Sequence, residues 1–169
     1  MSHEEPCCCA HQCGCENTQN AAPAERAATE NEKEFLHQLS HYRYLPVARF
    51  TLEDSREDDF ISTALAPVFI RSVSDTMEQV REAGRFLQKL EDSGFITLDY
   101  DVPLNGYGYE EYKESDLYRY FRATVAEGAE KPGYLGDTAV LELGSMALTE
   151  AGQKIAGSVA CHEHHHAHE

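Results

Sequence analysis

The chain has 169 residues and a mass of 19.0 kDa, which fits one modest domain and excludes a large multidomain enzyme. Its 14 Lys and Arg stand against 30 Asp and Glu, a formal net charge of −16 at pH 7, so a basic coat for nucleic acid or anionic membranes is excluded. The longest uncharged run, Phe60–Ile70, has 11 residues, too few to cross a bilayer, and no apolar segment follows the N-terminus. We therefore expect a cytoplasmic protein without a membrane partner.

The N-terminal segment concentrates thiols. Five of the six cysteines lie within Cys7–Cys15, and the segment from 15 to 29 is polar, Ala-rich and without periodicity. A disulfide framework would spread its cysteines through the domain, whereas thiolates grouped in this way are soft ligands suited to Zn²⁺ or Cu⁺. We interpret residues 1–29 as a disordered, Cys-rich, metal-binding tail and tether, with an incidental reduced tail as the alternative. The predicted metal ligands here are Cys7, Cys8, Cys9, His11, Cys13 and Cys15.

A globular body is predicted for residues 30–160, and it begins with a helix. Thr29 and Glu32 have the spacing of a capping box, apolar residues then recur at helical spacing, and Pro46 ends the pattern. The inward positions are predicted to be Phe35, Leu36, Leu39 and Tyr42.

Three shorter segments follow this helix. Alternating apolar and polar residues over Ala48–Leu52 predict a short strand. The acidic run Glu53–Asp59 is typical of a solvated loop. We interpret the uncharged run Phe60–Ile70 as a buried helical segment that Pro67 shortens or kinks.

The clearest predicted helix lies near the middle of the chain. Ser74 or Asp75 can cap its start, and Gly94 suits the left-handed conformation that follows a helix end. A short strand, Phe95–Asp101, comes directly afterwards. The positions on one face of this helix are Met77, Val80, Gly84, Leu87 and Leu90.

A Tyr-rich insert, at about 102–137, separates that strand from the next. Seven of the nine tyrosines lie between Tyr100 and Tyr134, and Ser115 can cap a helix inside the insert. We expect these tyrosines to serve in the core and at interfaces. The inward positions of the insert helix are predicted to be Leu117, Tyr118, Phe121 and Val125.

The body is predicted to end with a strand and a helix. Thr138–Met146 has the composition of a strand, and Thr149 can cap a final helix that packs through Ile155 and Val159.

Residues 161–169 form a His-rich tail. Its histidines largely alternate, so in an extended chain they share one face, and neutral imidazole suits Zn, Ni and Cu. A cloning origin is the alternative. The predicted ligands are Cys161, His162, His164, His165, His166 and His168, and the expected cofactor is a divalent transition metal, zinc or nickel before copper. His37 and His41, four residues apart on the first helix, could also chelate, although an ordinary solvent-facing pair is expected.

The order of the central elements resembles that of winged-helix proteins, most of all MarR- and PadR-type transcription regulators. The likeness lies in a helix ending in Leu-x-x-Leu-x-x-x-Gly-Phe-Ile and a closing Leu-Thr-x-x-Gly-x-x-x-Ala helix, over residues 74–100 and 138–157. It implies an α+β, winged helix-turn-helix-like domain whose wing is enlarged by the insert, and a homodimer. A generic small α+β domain is the alternative. The matching residues are Leu87, Leu90, Gly94, Phe95, Ile96, Leu148, Thr149, Gly152 and Ala156.

The resemblance also implies DNA contacts on the middle helix, because recognition helices read bases near their N-terminal end. The family's basic wing is absent, and the cations here are countered by the acidic residues Asp75, Glu78 and Glu82. The predicted DNA-binding residues are Arg71, Thr76, Gln79, Arg81 and Arg85.

Two functions are consistent with these patterns. The first is a metal- or redox-responsive winged-helix transcriptional regulator whose tails capture metal and shift its affinity for DNA. The alternative is a metal-binding, buffering or delivery protein whose winged-helix body docks on a protein partner without binding DNA. An enzyme is not expected, because the chain has no Gly-rich phosphate loop, His-Glu-x-x-His or Gly-x-Ser-x-Gly motif.

Overall fold

A computed structural model describes residues 26–160. In chain order the elements are α1 (Glu30–Tyr42), β1 (Tyr44–Asp54), β2 (Glu57–Val68), α2 (Met77–Asp92), β3 (Ile96–Asp99), α3 (Glu110–Lys113), α4 (Asp116–Ala129), β4 (Thr138–Leu148) and α5 (Glu150–Ala160). The predicted α+β class is confirmed. Residues 1–25 and 161–169 lie outside the described residues; they include all the metal ligands predicted in the two tails, and only 26–29 of the predicted N-terminal tail are described.

The four strands form one antiparallel sheet in the order β2-β1-β4-β3. β1 pairs with β4 along its length, from Tyr44 opposite Ala147 to Glu53 opposite Thr138. β2 and β3 are therefore the two edge strands. None of the described helices is long and apolar enough to cross a membrane.

Two apolar cores lie on opposite sides of this sheet, because successive strand residues alternate between its faces. Val47 faces the first core, which α1, α5 and the C-terminal half of α2 cover; Phe50 faces the second, which α3, α4 and the start of α2 cover. The first core contains Phe35, Leu36, Leu39, Leu87, Leu90, Phe95, Ile96, Leu98, Met146 and Ala156. The second contains Ala48, Val68, Ile70, Val80, Tyr109, Tyr112 and Leu117.

The helix caps follow the sequence closely. The hydroxyl of Thr29 accepts a hydrogen bond from the backbone N–H of Glu32, and Ser115 and Thr149 cap α4 and α5 in the same way, as predicted. Gly94 has a φ of 77°, as expected for the residue that stops α2. Tyr42, predicted to point inward, is instead exposed at the end of α1.

The predicted cap of α2 is wrong by one or two residues, since Thr76 caps the helix. The carboxylate of Asp75 accepts hydrogen bonds from the backbone N–H groups of Arg71 and Ser72 instead. Asp75 therefore closes the turn before the helix, and the next residue is left to cap it.

The interpretation of the segment between α1 and α2 is wrong. Phe60–Ile70 is not a buried helix: most of it belongs to β2, an edge strand whose side chains are largely exposed. Glu53–Asp59 is not a loop either, because β1 and β2 run through it with a tight turn at Ser55 and Arg56. Pro67 is tolerated because it lies near the end of an edge strand.

The insert folds back onto the sheet. Leu117 and Val125 of α4 are buried, and Tyr118 and Phe121 are half-buried against Phe50, largely as predicted. α2, β3, β4 and α5 follow one another as in the winged-helix resemblance. Within residues 26–160, however, strand β2 and not a helix precedes α2, and helices α3 and α4 stand where the wing was expected. The winged-helix assignment stays a prediction.

Candidate functional site

The five predicted DNA-binding residues all lie on the surface, near or on α2, but two of them are already engaged. The backbone N–H of Thr76 donates to Oε1 of Gln79 at 2.8 Å, and the N–H of Gln79 donates to the Thr76 hydroxyl at 3.2 Å. These two side chains form the capping box of α2 and would have to abandon it to contact bases. The guanidinium of Arg71 lies 5.3 Å from the centre of the Phe69 ring.

Arg81 and Arg85 are exposed cations on the side of α2 that faces the end of β2. They flank a shallow groove against Leu65, Ala66 and Pro67 of β2. Neither forms an ion pair with any residue between 26 and 160. Both guanidinium groups are therefore available to an anionic partner.

The second candidate site is the histidine pair of α1. Nε2 of His37 and Nε2 of His41 are 3.2 Å apart, and the two rings are nearly perpendicular at 84°. His37 is half-buried and His41 is exposed. The four-residue spacing places both rings on one face of the helix, where they meet.

Helix α5 orients the ring of His37. Nδ1 of His37 lies 3.4 Å from the backbone carbonyl oxygen of Ala156. A proton on Nδ1 donates to that carbonyl, and Nε2 then carries a lone pair directed toward His41. A backbone carbonyl that fixes the tautomer in this way is the usual outer partner of a metal-bound histidine.

The separation of the two nitrogens fits a shared metal ion. Zn–N bonds of 2.0–2.1 Å at a tetrahedral angle put two ligand nitrogens about 3.3 Å apart. The same separation suits a hydrogen bond between the two rings, in which Nε2 of His41 is the donor when the proton of His37 is on Nδ1. A bound divalent ion would replace that proton.

The remaining coordination positions would need further donors. Residues 26–160 contain no group of three or more His, Cys, Asp or Glu side chains arranged around a common point. Cys161, the first residue of the predicted His-rich tail, directly follows the last residue of α5, the helix whose Ala156 orients His37. Thiol and imidazole donors are thus attached to the helix beside the pair.

Two carboxylates with shifted pKa values serve the fold. Hydrogen bonds from the side chain and the backbone of Arg56 hold the pKa of Asp54 well below its ordinary value and fix the β1–β2 turn. Burial alone would raise the pKa of Glu32, but its contacts with Arg26, Thr29 and Lys89 outweigh burial and lower it.

The sequence patterns had marked His37 and His41 as an ordinary surface pair. Their four-residue spacing was the available signal, but the carbonyl that orients His37 comes from residue 156, at the far end of the chain.

Comparisons with protein-family models, curated proteins and solved structures find no match for this chain.

Proposed function

We propose that this chain is a divalent transition-metal-binding protein, acting as a buffer or carrier, with an ordered two-histidine site on its body. The observation that carries the proposal is the 3.2 Å separation of the Nε2 atoms of His37 and His41, with His37 oriented by the Ala156 carbonyl. Imidazole pairs of this kind favour Zn²⁺, Ni²⁺ and Cu²⁺ over Mg²⁺ and Ca²⁺.

The ends of the chain support the same function. They contain all six cysteines and seven of the nine histidines, and the two remaining histidines are the pair on α1. In this proposal the tails collect metal, and the pair gives one ion a fixed location beside the start of the C-terminal tail. The thiolates would favour softer ions and the imidazoles borderline ones.

The test is a metal titration of the full-length chain in which the tail ligands are removed without changing its length. All six cysteines are changed to Ser and all seven tail histidines to Gln. Zn²⁺, Ni²⁺ or Co²⁺ is then titrated calorimetrically, and Co²⁺ is also followed by its visible absorption. We expect one remaining site per chain.

The decisive variant adds His37→Gln and His41→Gln to that background and should abolish the remaining site. Gln38→Ala with Ser40→Ala is the matched control, because both residues are exposed on the same helix between the histidines. The control should retain the site. Equal metal binding by the decisive variant and the control would refute the body site.

A DNA-binding, metal-responsive regulator is a second candidate, and the exposed Arg81 and Arg85 of α2, which form no ion pair within residues 26–160, favour it. Phosphate contacts need free cations of this kind. Gel-shift experiments on native genomic fragments, with and without Zn²⁺ or Ni²⁺, test this candidate. Specific retardation that is lost in Arg81→Ala and Arg85→Ala would support it, and no retardation under either condition would leave the metal buffer as the function.

A further inference from the structure

Strand β2 leaves one long edge of the sheet without a partner. Among residues 26–160, β2 pairs with no strand other than β1, and near its C-terminal end the backbone of Pro67 lies against Gly84 of α2. The edge segment Phe60–Leu65 contains no charged residue, and Ile61 is 61% exposed. Charges, bulges and covering elements usually protect such an edge. Here the charges lie at one end of β2, and two of the register shifts against β1 and the covering helix α2 lie toward the other, around Leu65 and Pro67.

The two ends of this edge carry opposite charges. Glu57, Asp58 and Asp59 are exposed at its beginning. The exposed Arg81 and Arg85 of α2 flank the other end, at Leu65–Pro67.

We propose that β2 pairs with β2 of a second copy of this chain, in antiparallel orientation about a two-fold axis. The two four-stranded sheets then become one continuous eight-stranded sheet. A pairing over Phe60–Leu65, centred near Thr63, brings Asp59 of one copy to the end of β2 that α2 covers in the other. The acidic end of each β2 therefore meets the arginine pair of the other copy, and the two-fold axis forms this contact twice.

The opposite charges at the two ends of β2 favour a second copy of this chain, rather than an unrelated strand, as the partner of this edge. An antiparallel partner must be uncharged in its middle, acidic at one end and flanked by cations at the other, which this edge itself satisfies. The net charge of −16 on each chain opposes association, so the two acid–arginine contacts provide the local attraction that self-pairing needs. The inference is independent of metal binding.

The test measures the mass of the full-length chain in solution, by sedimentation and light scattering, with a chelator and a reductant to exclude metal bridges and intermolecular disulfides. We expect a species of twice the 19.0 kDa chain mass. Ile61→Lys, which places a charge in the middle of the edge, should yield a monomer. A wild-type chain that stays monomeric at high micromolar concentration would overturn the proposal.

Charge reversal makes the test specific to the proposed geometry. Arg81→Glu with Arg85→Glu makes both ends acidic, and Asp58→Arg with Asp59→Arg makes both ends basic. Each double variant alone should self-associate at least about tenfold more weakly than the wild type, because like charges then face each other. Mixing the two should restore a dimer that contains one chain of each, since both contacts become attractive again.

The matched control is Lys131→Glu with Lys154→Glu, which alters net charge as much as the arginine variant but at exposed lysines elsewhere, in the turn after α4 and on α5. It should dimerise like the wild type. Dimers that neither charge reversal weakens, or a mixture that fails to form the mixed dimer, would overturn the β2 pairing. If Arg81 and Arg85 contacted only DNA and not a second copy, the charge reversals would leave the dimer unweakened.

Discussion

Two glycines of α5 lie in opposite environments. A Cβ at Gly152 would lie 2.0 Å from the backbone carbonyl oxygen of Phe95, the residue before β3, so α5 can approach the start of β3 this closely only without a side chain at this position. A Cβ at Gly157 would meet nothing within 4 Å. The glycine of the Leu-Thr-x-x-Gly motif is thus explained by packing.

The first prediction compares alanine at these two positions. Gly152→Ala should destabilise the protein by about 1–3 kcal/mol, because the backbone of α5 or β3 must move. Gly157→Ala should stabilise it by about 0.5–1 kcal/mol through better helix propensity. Thermal and urea denaturation measure both, and equal effects would contradict the close approach of α5 to β3.

Glu32 is the buried charge of the first core. Its carboxylate forms ion pairs with Arg26 at 2.9 Å and Lys89 at 3.5 Å, and its side chain is only 3% exposed. The carboxylate therefore does not complete the capping box that the sequence predicted, but joins α1 to α2 and to the segment that precedes α1.

The second prediction concerns acid stability. Because the folded-state pKa of Glu32 is lowered from about 4.5, its contribution is fully present above pH 4.5 and is lost as the pH falls through the folded-state pKa. Glu32→Gln should cost about 1–3 kcal/mol at pH 7, and the difference from wild type should shrink below pH 4.5. Glu34→Gln, at an exposed position of the same helix, is the control; a constant difference between pH 7 and pH 3 would contradict the assignment.

At the scale of elements, two buried tyrosines fasten the insert to the sheet. The hydroxyl of Tyr109 donates to the carbonyl of Gly144 on β4 at 2.7 Å and accepts from the backbone N–H of Leu104 at 2.7 Å. The hydroxyl of Tyr112 donates to the carbonyl of Pro46 on β1 at 3.1 Å. Burial raises the pKa of Tyr112, so its hydroxyl remains a donor at alkaline pH.

The third prediction is that Tyr109→Phe destabilises the protein by about 1–3 kcal/mol, because a buried carbonyl and a partly buried N–H lose their partner. Tyr120→Phe, on the 65% exposed ring of α4, should change stability by less than about 0.5 kcal/mol. Chemical denaturation measures both. Hydrogen exchange of the Leu104 amide should increase in the first variant only.

Local sequence patterns were enough to predict some of these elements and not others. The caps at Thr29, Ser115 and Thr149 were predictable, because in each the side-chain hydroxyl accepts a hydrogen bond from the backbone N–H three residues later in the chain. Phe60–Ile70 was assigned to the wrong element, because an uncharged run of that length suits a buried helix as well as a strand. Pairing with β1, which no local pattern reports, makes most of the run an edge strand.

At the scale of the whole molecule, the body begins earlier than the predicted boundary at residue 30. Nε of Arg26 donates to the hydroxyl of Ser93 at 2.6 Å, and its guanidinium lies 5.5 Å from the centre of the Phe95 ring. Ala28 packs against the first core. These contacts tie the segment before α1 to the end of α2 and the start of β3.

The fourth prediction compares two truncations. Removal of residues 1–25 and 161–169 should leave the melting temperature within about 2 °C of the full chain, because both cores are retained intact. Removal of residues 1–29 should lower it by several degrees, since Arg26 and the Thr29 cap are lost. Scanning calorimetry in the presence of a chelator measures the melting temperatures of both truncated chains. Equal melting temperatures would show that the Arg26 contacts contribute nothing.

The sequence by itself determined the α+β class, the caps of α1, α4 and α5, and the separation of a cysteine-free body from metal-binding candidates at the ends, because composition and short-range hydrogen bonding are local properties. Only the tertiary structure decided that β1 and β2 form a hairpin, that the tyrosines anchor the insert, and that His37 is oriented by Ala156. It also decided that Arg81 and Arg85 flank the free edge of β2. Each of these features joins residues far apart in the chain, and such contacts depend on how strands pair and helices pack, which no single segment encodes.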